Sequence, residues 1–69
     1  MIVLSKLTDK GTLYWKGYHS TYDPSNIIID HGYLGTTLNT KEVDCMDRQD
    51  AYRELKRLAL VMEERGYSI

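Results

Sequence analysis

The chain has 69 residues, nine Lys and Arg against ten Asp and Glu for a formal charge of −1, and a single cysteine. A chain this short forms one domain at most and buries only about 60% of the surface its unfolded form exposes. Cys45 has no partner for an internal disulfide, and the near-neutral balance argues against wrapping nucleic acid chiefly by phosphate neutralisation.

The apolar opening Met1-Ile2-Val3-Leu4 is ended by Lys6, Asp9 and Lys10, far short of a membrane span. With no signal-peptide pattern and a lone thiol, the chain is expected to be cytoplasmic and kept reduced. No repeat or low-complexity tract appears, and residues 1–69 read as one domain.

The first strand is expected over 2–7, closed by Thr8-Asp9-Lys10-Gly11, a turn with glycine last. The second, 12–18, makes a hairpin with it. Side chains alternate along a strand, so Tyr14, Lys16 and Tyr18 share one face and Leu13, Trp15 and Gly17 the other. Asp23-Pro24-Ser25-Asn26 is a second turn. A third strand over 27–33 follows from the β-branched run Ile27-Ile28-Ile29. Gly32 and Gly35, three apart, point to a bulge or a close backbone approach, and a weakly alternating fourth strand occupies 38–43.

A helix is expected over 47–65. Asp47 is its cap, with Asp50 near the positive end of the dipole. Ala51, Leu55, Leu58 and Met62 recur at i, i+4, i+7 and i+11, one stripe of the 3.6-residue period, widened by Tyr52 and Ala59. Arg65 lies in the last turn and Gly66 follows as C′. The stripe is expected to pack on Leu4, Leu13, Trp15 and Ile28. The fold class is therefore α+β: a small antiparallel sheet of three to five strands against one C-terminal helix.

Little in the chain suggests catalysis. His19, His31 and Cys45 are widely separated and lack the paired spacing of structural zinc, so no metal and no cofactor is expected. Ser20 follows His19 directly, and strand neighbours point to opposite faces. Carboxylates such as Asp30 and Glu42, or Asp44 and Asp47, arise freely in a chain that is 28% charged. A water-excluding pocket needs more walls than one sheet and one helix supply, so no enzymatic activity and no small-molecule substrate are expected. Six tyrosines and one tryptophan with no phenylalanine suit half-buried sheets and interfaces alike. On the helix, Arg53, Lys56 and Arg57 lie opposite the apolar stripe. Leu60 stands one turn on as a candidate docking residue, although a charged face is normally just solvated.

The order of these signals resembles the WGR domain, a small module of poly(ADP-ribose) polymerases, bacterial stand-alone proteins and the neighbourhood of some ATP-dependent DNA ligases. Leu7-Thr8-Asp9-Lys10-Gly11 followed by Tyr14-Trp15 looks like the family's opening hairpin. Ile28 through Gly35 occupies the place of the signature Trp-Gly-Arg-Val-Gly, and Glu63-Glu64-Arg65-Gly66-Tyr67 is similar to the closing Lys-x-x-Gly-Tyr. His31 stands where the signature tryptophan would be and Tyr33 where its arginine would be, and the segment between signature and helix is shortened. In the polymerases those two positions help contact a DNA end. Here rings able to stack remain, while the cation is lost.

The resemblance implies a non-catalytic module contacting nucleic acid, alone or beside a DNA-processing enzyme. Trp15, His31 and Tyr33 are the stacking candidates; Lys16, Lys41, Arg53, Lys56 and Arg57 are the phosphate candidates. The alternative is a protein-interaction module, such as a homodimer, adaptor or small inhibitor. Short length, neutral charge and Leu60 favour it, and an exposed sheet edge could pair with a partner's.

Overall fold

Alternation along the central strands decides how this chain builds two layers. In the computed structural model, which describes residues 1–69, β1 (Ile2–Thr8) turns through Asp9-Lys10 into β2 (Gly11–His19). β3 (Asn26–Tyr33), β4 (Asn39–Asp44) and the helix α1 (Arg48–Glu64) follow. The strands form one antiparallel sheet in the order β1-β2-β3-β4. The expected boundaries of strands and helix each lie within one residue of those observed.

One face of the sheet carries the core. Leu4, Trp15, Ile27 and Ile29 point toward α1, which returns Ala51, Leu55 and Ala59, and all seven are buried. A fully buried Leu or Ile contributes about 1.5–3 kcal/mol before entropic costs. Two expectations need correction here. The register sets His19 against Ile27 and Gly17 against Ile29, so these two isoleucines share the helix-side face and Ile28 lies half-buried on the other. Three successive β-branched residues state that a strand exists but not which of them faces inward. Tyr52 was expected to widen the apolar stripe; instead it is 54% exposed, at the outer margin of the helix.

Both helix ends are closed by side chains or geometry. The Asp47 carboxylate accepts from the Asp50 backbone N–H at 2.8 Å, and the Asp50 carboxylate accepts from the Met46 N–H at 3.2 Å. The first bond satisfies a terminal amide that the helix itself cannot pair, and the second ties the residue before the cap to the first turn. At the other end Gly66, with φ +97°, donates to the Glu63 carbonyl, and Tyr67 donates to that of Met62, the pattern of a Schellman motif. Lys6 reaches across from β1 and donates to the Arg65 carbonyl at 2.8 Å, which places a cation at the negative helix end. Ser68 then pairs with Ser5 through two backbone hydrogen bonds of 2.8 and 2.9 Å, covering part of the β1 edge.

The second face of the sheet has no layer over it, and the Cα trace measures 39 × 24 × 14 Å. No helix is long and apolar enough to cross a membrane.

Candidate functional site

The C-terminal half of α1 and the residues that follow it form one wall of a cleft over the sheet. Leu58, Met62 and Arg65 overhang β2, β3 and β4 and enclose a cleft of about 300 Å³ with Tyr67, the small end of the range for ligand clefts. Its floor is apolar, formed by Leu13, Trp15, Ile29 and Val43. Its rim is basic. His31 is set beside Trp15 by the β2–β3 register, Lys41 lies beside Ile29 by the β3–β4 register, and Arg65 ends the helix stripe. No carboxylate lines the cleft. The chain's ion pair is elsewhere, between Arg57 and Glu54, so Lys41 and Arg65 have no acidic partner. Long basic side chains lay their stems on apolar surface and keep the charge in water, and all three rim residues are exposed.

The sequence candidates fall on separate surfaces. His31 and Lys41 meet at the cleft, and Tyr33 lies one alternation further along the same face, half-buried. Trp15 must be withdrawn as a stacking platform. At 4% exposure it is core, because its ring spreads over Gly17 beneath Leu55. Lys16 points to the opposite face of the sheet, its ammonium 5.1 Å from the Tyr18 ring centroid. Arg53, Lys56 and Arg57 stand on the outer side of α1. There Arg57 grips Glu54 through Nε and Nη2, and the Lys56 ammonium lies 5.7 Å from the Tyr52 ring centroid. Leu60 is 60% exposed, as its position opposite the stripe implies.

Sequence reasoning missed Arg65 as a site residue. Its signal was present: Leu58, Met62 and Arg65 are spaced i, i+4, i+7, so Arg65 continues the core-facing line as a cation rather than leaving it.

The other reactive residues have structural employment. The His19 imidazole donates from Nδ1 to the Pro24 carbonyl at 3.0 Å. The buried Ser20 hydroxyl accepts from the Tyr22 and Asp23 amides at 3.2 and 3.4 Å. Together they hold the β2–β3 turn. Burial, then the carboxylates of Asp50, Glu54, Asp44 and Asp47, push the Cys45 thiol up from its ordinary value, which makes it a poor nucleophile at neutral pH. No group of three His, Cys, Asp or Glu residues is gathered to hold a metal ion.

The fold and cleft define a small two-layer α+β domain with one basic-rimmed apolar cleft and one open sheet face. No protein-family model, curated protein or solved structure matches this chain.

Proposed function

We propose that this chain is a non-catalytic, WGR-like binding module of the cytoplasm that contacts a nucleic-acid strand through the cleft. The observation that carries the reading is the cleft's composition: an apolar floor rimmed by His31, Lys41 and Arg65, with no carboxylate among its lining residues. Such a surface suits a ligand that joins an apolar ring to an anion, as each nucleotide does. Phosphate would pair with Lys41 and Arg65, and a base would lie against the His31 and Tyr33 rings, since stacking tolerates any base. The order of WGR-like signals along the chain supports the same reading. A net charge of −1 supplies no broad attractive field, so the contact is local and involves few phosphates.

The test is a titration of labelled single-stranded and blunt duplex oligonucleotides at low salt. Two phosphate contacts give a slope of log K against log salt of about −1.4 on a single strand. Lys41→Glu with Arg65→Glu is expected to weaken binding at least tenfold, whereas Arg53→Glu with Lys56→Glu, on the outer helix face, leaves it nearly unchanged. Flat curves at high micromolar protein, or equal loss from both pairs, would remove the proposal.

A second reading, a protein-interaction module, is favoured by one observation: the sheet face away from α1 is uncovered and carries Val3, Leu7, Tyr14, Tyr18 and Ile28.

A further inference from the structure

We infer that the open sheet face binds a second copy of this chain, giving a face-to-face dimer about a two-fold axis that runs along the strands between β2 and β3. The inference is independent of the cleft.

The face is half-apolar and electrically self-complementary. Lys16 on β2 lies directly opposite Asp30 on β3, and Tyr18 directly opposite Ile28. Lys16 and Asp30 nonetheless form no ion pair within the chain. The Asp30 carboxylate accepts from the Tyr18 hydroxyl at 3.1 Å and from the Thr40 hydroxyl at 2.8 Å, while the Lys16 ammonium rests over the Tyr18 ring. A half-buried cation is left without a carboxylate partner.

A two-fold axis along the strands exchanges β2 with β3 and β1 with β4 while keeping each residue in its row. Lys16 of each copy then meets Asp30 of the other, and Tyr18 meets Ile28, both contacts occurring twice. Glu42, opposite Ile28 on β4, falls against the start of β1, where no acidic side chain stands, so no like charges are opposed. Both outcomes follow from the register, and two aligned sheets pack in this manner with their strands about 30° apart.

The area is adequate for a weak dimer. Four strands about 4.8 Å apart and about seven residues long make a face of roughly 20 Å by 23 Å. Two such faces take roughly 900 Å² out of water, just under the size at which specific interfaces become stable. Association is therefore expected to depend on concentration across the micromolar to millimolar range.

Sedimentation equilibrium over that range tests the inference directly. The weight-average mass should rise from the 8.0 kDa of one chain toward twice that value. Lys16→Asp alone and Asp30→Lys alone should each remain monomeric, because each homodimer would oppose like charges twice. An equimolar mixture of the two variants should dimerise again, since every cross-contact is then restored. Amide chemical shifts of the unaltered protein on dilution provide a readout that needs no variant: changes should centre on Tyr14, Lys16, Tyr18, Ile28 and Asp30. A constant monomer mass, or dilution shifts centred on the β4 edge or on Leu60, would overturn the proposal.

Discussion

Gly17 of β2 faces Leu55 of α1 with no room for a side chain between them: a Cβ on Gly17 would stand 2.5 Å from Leu55 Cδ1. The same atom would meet Trp15 Cη2 at 2.8 Å and Ile29 Cδ1 at 3.2 Å. The helix seats on a gap in the sheet surface, and the tryptophan ring spreads across that gap.

Gly17→Ala is thus expected to overpack the core. Inserted carbon in a filled interior costs about 1–3 kcal/mol, a large share of the margin of so small a domain. Leu55→Ala alone should cost about 2–5 kcal/mol by leaving a cavity. In the double variant the new methyl partly occupies the space Leu55 vacates, so the two costs should sum to more than the measured total. Urea denaturation of the four proteins checks this as a double-mutant cycle.

Gly66 occupies a left-handed conformation, φ +97°, which costs a residue with a Cβ about 1–2 kcal/mol. Gly66→Ala should lower stability by that amount, and Gly66→Asn by less, because asparagine tolerates this region. The added Cβ would also press on Lys6 Cε and Nζ, both 3.3 Å away. Lys6→Met, which removes the hydrogen bond to the Arg65 carbonyl, should have a smaller effect that shrinks with added salt. Thermal melts at low and high ionic strength separate the two substitutions.

Tyr18 carries a pH dependence. Partial burial, then the hydrogen bond to the Asp30 carboxylate and that group's negative charge, raise its phenol above the ordinary 10.0. The folded state therefore holds this proton more tightly than the unfolded chain does. The resulting stabilisation is complete below pH 10.0 and is lost as pH climbs through the higher folded value. Tyr18→Phe should flatten that alkaline decline in melting temperature. In an absorbance titration of tyrosinate, the variant should lack a component that ionises above the ordinary value.

Much of this architecture is legible in the sequence because it is written in local rules. Asp47 and Gly66 bound the helix by capping chemistry, and both act as caps in the fold. Leu13, Trp15 and Gly17 share a face because strands alternate. Ile27, Ile28 and Ile29 defeat the same logic, since a uniformly apolar run contains no alternation to read. Only pairing with β2 fixes their parity. The candidate site was legible in part for a similar reason. His31 and Lys41 lie on adjacent strands two rows apart, whereas Arg65 joins them only because α1 packs across the sheet. Trp15 misled because an aromatic ring is equally at home stacked on a base or sealed in a core. What decides between them is the absence of a side chain at Gly17 and the leucine above it.

The clasp between β1 and the segment after the helix has a kinetic implication. Ser5 is held by Ser68 and Lys6 by Arg65, contacts separated by 63 and 59 positions. During synthesis the hairpins can zip early, but Leu4, Trp15, Ile27 and Ile29 stay uncovered until α1 has emerged. Such long-range closure slows folding relative to chains built from neighbouring contacts. A sticky half-sheet is therefore expected to stay exposed during synthesis until α1 has emerged to cover it.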